Sequence, residues 1–285
     1  PYEFSVLPVE ILGSAYEQFL GKQIRIDSAH RARIEEKPEV RKAGGVYYTP
    51  QYIVDYIVEH TLGRVITERA STPEAISALR VVDPACGSGS FLIGAYQYLL
   101  DWHLDYYTHH ARKTGKNAPL TPDGHLTTAE KKRILLNNIY GVDIDVNAVE
   151  VTKLSLLLKC LEGETHASIA HQMSMFKERV LPTLEDNIKS GNSLIDLDFY
   201  ASQLDFGEEK KIKPFSWERG FPEVFKEHGG PADRSGGPAD RSGGFDVVIG
   251  NPPYVRQELL GDLKTYYRSH YKVYLFTFRR VILPG

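Results

Sequence analysis

A short apolar strand followed by a glycine-rich turn is encoded by LRVVDPACGSGSF, residues 79–91, and this stretch decides the fold class. Its first five residues, 79–83, have the length and β-branched content of a buried strand, and the glycines after them turn the chain into a helix over residues 91–102. Glycines at such a turn let the backbone approach a ligand, and the free N–H groups of the helix N-terminus point to the same place. We therefore expect a ligand-binding turn between strand and helix.

Strands and helices alternate on the C-terminal side of this turn. After a polar insert at residues 109–124, the capping box Thr127-x-x-Glu130 restarts a helix that runs to about Asn137. Strands that alternate with helices predict a parallel sheet, so the fold class is α/β. The further elements that we expect are a strand at 139–143, an apolar helix at 149–161, a helix at 173–188 interrupted at Pro182, and a strand end at 189–194.

The N-terminal part of the sequence predicts helices ahead of the sheet. Residues 9–26 place apolar side chains at helical spacing, which is typical of an amphipathic helix docked on a larger body. Residues 27–42 are rich in charge and predict a linker or an exposed helix. Thr49 followed by Pro50 fits an N-cap with proline at the first helical position, so we expect a helix over residues 51–62.

A second informative turn is FDVVIGNPPY, residues 245–254, in which an apolar strand ends in glycine and asparagine. Open α/β sheets bind their ligands at the carboxyl ends of buried parallel strands. The side-chain carbonyl of Asn251 and the backbone carbonyl of Pro252 can accept hydrogen bonds from the two N–H groups of an exocyclic amine. Proline at 252 and at Pro253 fixes φ and removes competing donors. Tyr254 offers a flat face for a base, whereas a Pro-Pro pair alone would indicate only a turn.

Composition limits the partners and the chemistry. The 285 residues carry a formal net charge of −3, so contact with DNA has to come from a local patch. Residues 256–280 supply one candidate, with six basic against two acidic side chains, although a solvated helix face explains these charges equally well. No ligand spacing fits a metal site, and the His109-His110 pair has no further ligand at a recognisable distance. We expect no bound metal.

Several features bear on the cellular context. Cys86 and Cys160 are the only cysteines and lie far apart, which favours a reducing cytoplasm over a disulfide scaffold. The sequence has neither a signal peptide nor an apolar stretch long enough to cross a bilayer. It begins at Pro1, which indicates a fragment or an interior domain. The tandem repeat GGPADRS at residues 229–242 is too polar for a core and predicts a flexible loop, to which we assign no function.

The order of these segments resembles that of the amino-group DNA methyltransferases that use S-adenosylmethionine, in their adenine-N6 gamma arrangement. The opening EILGSAYEQFL, residues 10–20, is also similar to the helical lead-in of large single-chain restriction-modification enzymes of the type IIG and related type I group. The other matching segments are GVYYTP at 45–50 and DPACGSGSF at 83–91 for the cofactor, GVDID at 141–145 for its ribose, GNSL at 191–194 for its adenine, and NPPY at 251–254 for catalysis.

This resemblance implies a Rossmann-like methyltransferase sheet with S-adenosylmethionine as its cofactor. The target adenine would be flipped out of double-stranded DNA and would stack on Tyr254 while its amino hydrogens are held by the catalytic turn. Asn192 stands where many relatives have Asp. The implied cofactor-binding residues are Thr49, Pro50, Asp83, Ala85, Cys86, Gly87, Gly89, Asp143, Ile144 and Asn192, and the implied catalytic residues are Asn251, Pro252, Pro253 and Tyr254.

The resemblance also implies a division into a helical lead-in at residues 1–42 and a catalytic domain at residues 43–285. Only about thirty residues follow Tyr254, so we expect the C-terminal strands and a target-recognition domain to be missing. The predicted function is methylation of adenine N6 in DNA within a restriction-modification system, together with further domains or subunits for target recognition and cleavage.

Two alternative functions stay open at this point. A glutamine-N5 protein methyltransferase uses the same kind of turn to hold a side-chain amide, and a non-catalytic DNA-binding or assembly subunit could keep the cofactor fold. The Tyr-Thr-Pro segment that ends at Pro50 and the long lead-in argue against the first, and intact Asn251 and Tyr254 argue against the second. A nuclease is disfavoured, because no Pro-Asp pair lies at a sensible distance before Glu35-Glu36-Lys37.

Overall fold

The computed structural model describes residues 13, 15–16, 22–27, 30–36, 49–69, 72–114, 119–164, 181–200, 212–225, 243–252 and 263–271. A π-helical turn at Glu59–Gly63 joins the helices Gln51–Val58 and Arg64–Arg69, and a 3-10 turn lies at Leu197–Tyr200. In chain order the elements are β1 (Lys22–Ile26), β2 (Ala32–Glu36), α1 (Gln51–Val58), α2 (Arg64–Arg69), α3 (Pro73–Ser77), β3 (Val81–Asp83), α4 (Ser90–Thr114), α5 (Thr128–Asn138), β4 (Ile139–Asp143), α6 (Val146–Leu161), β5 (Ile188–Ser190), α7 (Trp217–Gly220), α8 (Pro222–Phe225), β6 (Val247–Val248) and α9 (Leu263–His270).

Four parallel strands form the central sheet in the order β5-β4-β3-β6. The chain runs outward from β3 through β4 to β5 and then returns to the other side of β3 to form β6. The strand order therefore reverses between β3 and β6, and in open α/β sheets this switch point is where ligands bind. The predicted α/β class with a parallel sheet is confirmed.

Side chains along the strands alternate between the two faces of the sheet, as the pleat requires. Val81, Ile139 and Val247 belong to the larger core, which α4 and α6 cover. The opposite face packs against side chains in and beside the short helices α7 and α8. This second core contains Val82, Tyr140, Val142, Phe215, Phe221 and Val224. The two central strands, β3 and β4, are thus buried between helices on both faces, which leaves the carboxyl edge of the sheet as the place for polar chemistry.

The N-terminal prediction is wrong in its second half. Gly13, Ala15 and Tyr16 are helical, but β1 and β2 form an antiparallel hairpin in which Ile24 pairs with Ile34. The helical assignment of residues 9–26 extended a spacing of three to four residues across Lys22, Ile24 and Ile26, which alternate with the period of two that strands require. The charged segment 27–42 likewise contains β2 instead of a linker or helix, and residues 37–42 lie outside the described part of the chain.

Several element boundaries differ from the prediction. The helix expected at 91–102 is α4, which continues to Thr114 and takes His109 and His110 out of the predicted polar insert. The expected helix at 149–161 starts earlier, at Val146. Of the helix expected at 173–188, residues 173–180 lie outside the described residues, residues 182–187 are not helical, with a turn at 185–187, and Ile188 begins β5. The tandem repeat at 229–242 also lies outside the described residues. The N-cap half of the predicted capping box is confirmed, because the Thr127 side chain accepts a hydrogen bond from the Glu130 N–H at 3.3 Å.

Two further findings concern the described residues. None of their helices combines the length and the apolar character needed to cross a bilayer. Among these same residues, no group of three or more His, Cys, Asp and Glu side chains is arranged to hold a metal ion. Both cysteines are buried and free, Cys86 at the start of the glycine-rich turn and Cys160 in α6.

Candidate active site

The glycine-rich turn between β3 and α4 has the backbone that its sequence predicts. Gly87 and Gly89 have φ angles of +54° and +90°, which side chains rarely tolerate. A Cβ atom at Gly89 would lie 2.9 Å from Thr152 Cγ2, so α6 packs directly against the turn. At Gly87 the corresponding position meets no atom of the described residues within 4 Å. The turn is therefore closed on its α6 side and open at Gly87, where a ligand can approach the backbone.

Asp143, at the carboxyl end of β4, holds the turn in place. Its Oδ2 accepts a hydrogen bond from the Gly87 N–H at 2.8 Å, and its Oδ1 accepts one from the Asp145 N–H at 2.8 Å. On the other side of the turn, the Thr152 hydroxyl donates to the Gly87 carbonyl at 2.8 Å. Burial raises the pKa of Asp143, although the two backbone N–H groups oppose that effect. Each carboxylate oxygen has a second lone pair, so Asp143 can still accept a ligand hydroxyl.

Asp83 lies at the switch point, under the end of β6. Its side chain is only 2% exposed, and its Oδ1 accepts a hydrogen bond from the Ala85 N–H at 2.9 Å. A Cβ atom at Gly250 would lie 2.5 Å from Asp83 Oδ1, so only glycine fits above this carboxyl group. Burial raises the pKa of Asp83 to about 7, and the negative charge of Asp143 adds to the increase. Among the residues that the structure describes, no cation contributes to this pKa shift, so a positively charged ligand would stabilise the buried carboxyl group.

The turn after β6 meets the segment before α1. The Asn251 amide donates from Nδ2 to the Thr49 hydroxyl at 3.4 Å, across 202 positions of sequence. Thr49 does not cap α1 as predicted, because the N-cap residue is Pro50 and no side chain caps the helix. The helix instead begins at the Pro50 carbonyl, which accepts hydrogen bonds from the Ile53 and Val54 N–H groups. The threonine hydroxyl is thereby available to orient Asn251.

The other predicted site residues lie at the ends of β4, β5 and β6 or outside the described residues. Ile144 follows Asp143 with 46% of its side chain exposed, which provides an apolar surface next to the acid. Asn192 lies just beyond β5, and its Oδ1 accepts a hydrogen bond from the Leu194 N–H at 3.1 Å, so part of its polar capacity closes a turn. The described residues show no contact between Asn192 and the glycine-rich turn. Pro252 is exposed, and Pro253 and Tyr254 lie outside the described residues.

Sequence reasoning missed several residues that shape this site. Thr152 and Gly250 fix the two turns, and Lys213 donates from Nζ to the Ile144 carbonyl at 2.8 Å. Tyr16 donates to Asp145 Oδ2 at 3.1 Å. Only Asp145 carried a local signal, because an aspartate directly before a helix predicts an N-cap, and its Oδ1 does accept from the Asn147 N–H at 2.9 Å. Of the basic segment at 256–280, the structure describes residues 263–271, in which Lys264 and Arg268 are exposed.

The residues present fit S-adenosylmethionine by their chemistry. The open space at Gly87 lets the backbone approach a ligand, the carboxyl group of Asp143 can accept hydrogen bonds from ribose, and exposed Ile144 can cover an adenine. Asp83 offers a buried negative charge to the cationic methionine part.

Comparisons with known proteins extend this picture. The sequence model described as N-6 DNA Methylase matches residues 9–193, and that of the Eco57I restriction-modification methylase matches residues 137–280. The chain is 34% identical to the type II restriction enzyme and methyltransferase RM.Eco57I of Escherichia coli, over 95% of this chain and 24% of that protein. It is 31% identical to the putative type II restriction enzyme and methyltransferase RM.MjaORFECS2P of Methanocaldococcus jannaschii, over 65% of this chain and 16% of that protein.

Among solved structures, the DrdV–DNA complex is similar over 67% of this chain and 13% of that chain, with 15% identity and a TM-score of 0.35, which is too low to bear on fold or function. The chain spans about a quarter of the length of RM.Eco57I and less of RM.MjaORFECS2P. Each of the two family models covers half or more of the chain. The chain therefore belongs to the N-6 DNA methylase family and also matches the Eco57I restriction-modification methylases.

Proposed function

We propose that this chain is the methyl-transfer part of a restriction-modification enzyme and transfers a methyl group from S-adenosylmethionine to adenine N6 in DNA. The observation that carries the proposal is the meeting of two turns at the switch point, where Gly250 packs on Asp83 and Asn251 bonds to Thr49. This contact supports the proposal, because the group that would hold the amine then lies beside the groups that would hold the cofactor. Membership in the N-6 DNA methylase family supports the choice of adenine over a protein amide.

The cofactor would be held by residues from four segments of the chain. Thr49 and Pro50 would contact its methionine part, with Asp83 as the buried counter-charge, and the turn from Ala85 through Cys86, Gly87 and Gly89 would lie along its middle. Asp143 and Ile144 would hold the ribose and adenine, with Asn192 at the adenine edge. When bound, S-adenosylmethionine supplies a methyl group made electrophilic by its sulfonium charge.

The residues of the catalytic turn would act on the acceptor amine. Because the Nδ2 of Asn251 is directed to Thr49, its Oδ1 is the atom left to accept an amino hydrogen. The Pro252 carbonyl would accept the second hydrogen, and both acceptors would draw the nitrogen lone pair out of the aromatic ring. The methylated nitrogen would lose one of its protons to solvent, so the scheme needs no side chain with a shifted pKa as a base. Catalysis would come from positioning and polarisation, which can supply a large part of a rate enhancement.

The DNA and the rest of the enzyme complete the proposal. A flipped adenine would stack on Tyr254, with Pro253 shaping the same turn, and unstacking the base would cost a few kcal/mol. Residues 43–285 would form a Rossmann-like catalytic domain, with residues 1–42 as an N-terminal lead-in. Target recognition and cleavage would come from further domains or subunits, and the enzyme would act in the cytoplasm.

A methyl-transfer assay tests this function. The complete protein is incubated with S-adenosylmethionine labelled in its methyl group, and either duplex DNA or a glutamine-containing peptide is the acceptor. We expect label in DNA only, and we expect Asn251→Ala to lower its rate of appearance by at least a hundredfold, since one of two acceptors for the amine is lost. Asn137→Ala, at the C-terminal end of α5 and thus at the opposite edge of the sheet, is the matched control and should leave the rate unchanged. Label in the peptide and never in DNA would contradict the proposal.

A further inference from the structure

The described helical residues near the N-terminus contact both turns of the cofactor site. The Tyr16 hydroxyl donates to Asp145 Oδ2 at 3.1 Å, across 129 positions of sequence. Gly13 is buried against the glycine-rich turn, since a Cβ atom there would lie 3.3 Å from Ser88 Oγ. One short stretch of chain therefore touches the turn after β3 and the turn after β4. The contact of Tyr16 with Asp145 is specific in its chemistry, because a phenol donates to a carboxylate.

Asp145 connects Tyr16 to the groups that shape the site. One of its carboxylate oxygens, Oδ1, accepts from the Asn147 N–H at 2.9 Å and caps α6, which leaves Oδ2 for Tyr16. Its backbone N–H donates to Asp143 Oδ1 at 2.8 Å, and the other oxygen of Asp143 holds the Gly87 N–H at 2.8 Å. A continuous chain of hydrogen bonds thus runs from Tyr16 through the two aspartates to the backbone at Gly87.

The protonation state of Tyr16 keeps this chain in one arrangement. Burial raises the pKa of the Tyr16 phenol, and the negative charges of Asp145 and Asp143 raise it further. The phenol therefore stays protonated at neutral and moderately alkaline pH and can act only as the donor toward Oδ2. Bonds to a charged acceptor are among the stronger hydrogen bonds in proteins, so the contact can restrain the 143–145 segment.

We propose that Tyr16 is a positioning residue of the cofactor site. It fixes the carboxylate of Asp145 and, through it, the orientation of Asp143 and the open backbone at Gly87. The N-terminal lead-in would then complete the cofactor site instead of serving only as a spacer. This inference rests on the proposed function, because it concerns the same cofactor.

Calorimetric titration of the 285-residue chain with S-adenosylmethionine tests the inference. Tyr16→Phe removes one hydroxyl and should raise the Kd roughly tenfold, the size expected for losing a hydrogen bond to a charged group. Tyr106→Phe is the matched control. Tyr106 stacks between Trp102 and His110 on α4, about 24 Å along the helix from Ser90, and the variant should bind within twofold of the unaltered chain.

A double-mutant cycle separates positioning from general loss of structure. Asp145→Ser keeps an oxygen that can cap α6 and removes the acceptor of Tyr16. In that background Tyr16→Phe should change the Kd by no more than twofold, because the bond is already gone. At saturating cofactor, the methyl-transfer rate of the complete protein carrying Tyr16→Phe should return to within about threefold of the unaltered rate, with the loss appearing in KM.

The outcomes are distinct. An unchanged Kd in Tyr16→Phe, or a tenfold rise that persists in the Asp145→Ser background, would overturn the inference while leaving the proposed function intact. A lowered unfolding midpoint in the cofactor-free chain with unchanged affinity would show that Tyr16 serves stability alone, and would also overturn it. Failure of the unaltered chain to bind S-adenosylmethionine at millimolar concentration would overturn the proposed function, and this inference with it.

Discussion

Replacing Asp83 with asparagine should make the cofactor-free chain more stable, and the gain should depend on pH. Asp83 is buried beneath Gly250, and burial raises its pKa from 3.8 to about 7. Asparagine has nearly the same shape, can still accept the hydrogen bond from the Ala85 N–H, and carries no charge to desolvate. The substitution therefore removes the electrostatic penalty and leaves the packing in place.

The size and sign of the effect follow from the two pKa values. Between pH 4 and pH 7 the unfolded carboxyl group is ionised while the folded one still holds its proton, so stability falls as the pH rises through this window. Above pH 7 both states are ionised and the penalty has reached its full value of about 4 kcal/mol. The stability difference between Asp83→Asn and the unaltered chain should be about 4 kcal/mol at pH 8 and about 1 kcal/mol at pH 4.5.

Urea unfolding at these two pH values measures the difference. Asp186→Asn is the control, because the Asp186 side chain is 99% exposed, and this variant should show no comparable pH-dependent gain. The same variant of Asp83 should bind S-adenosylmethionine more weakly, since the buried counter-charge is lost. Stability that is traded for function in this way is common at binding sites. Equal stability of the two chains at pH 8, or a gain of the same size at both pH values, would refute the reasoning.

Three further predictions follow from the site and its surroundings. Gly89→Ala should abolish cofactor binding in a calorimetric titration, because its Cβ would lie 2.9 Å from Thr152 Cγ2 at a φ of +90°. Gly87→Ala meets no such contact, so it should lower the free energy of unfolding by only about 1–2 kcal/mol, the cost of a left-handed backbone. Thr152→Val, which keeps the shape and removes the bond to the Gly87 carbonyl, should lower the free energy of unfolding by about 1 kcal/mol in urea titrations. In an NMR titration, His270 should show a pKa above 6.5, because it bonds to the Tyr266 carbonyl and to Asp198, and Asp198→Asn should lower it.

The parts of the fold that could be predicted from the sequence are those set by neighbouring residues. β3 and β4 are short apolar runs, and Thr127 caps α5 three residues before Glu130, so local patterns were sufficient for them. The hairpin of β1 and β2 was missed because the helical spacing of the apolar residues before position 21 was extended over residues 22–26, where the isoleucines are two apart as in a strand. The full length of α4 was missed because its last residues, 109–114, are mostly polar and show no apolar periodicity that would indicate a helix.

The contacts that build the site could not be predicted in the same way, because they join residues far apart in sequence. The requirement for glycine at 250 comes from the carboxyl group of Asp83, and the orientation of Asn251 comes from Thr49. The bond from Tyr16 to Asp145 depends on how the lead-in lies on the sheet. Motif order indicated which segments meet, whereas the pairs of atoms that meet follow only from the packed structure.

Analysis of the methylated nucleoside is the most direct test of the central claim, that the turn at Asn251 and the cofactor site beside it act on adenine N6. Duplex DNA is incubated with the complete protein and S-adenosylmethionine, digested to nucleosides and examined by mass spectrometry. We expect N6-methyldeoxyadenosine, with none above background when Asn251→Ala replaces the unaltered protein. Methylation of another base, or N6-methyldeoxyadenosine formed at an undiminished rate by Asn251→Ala, would contradict the account.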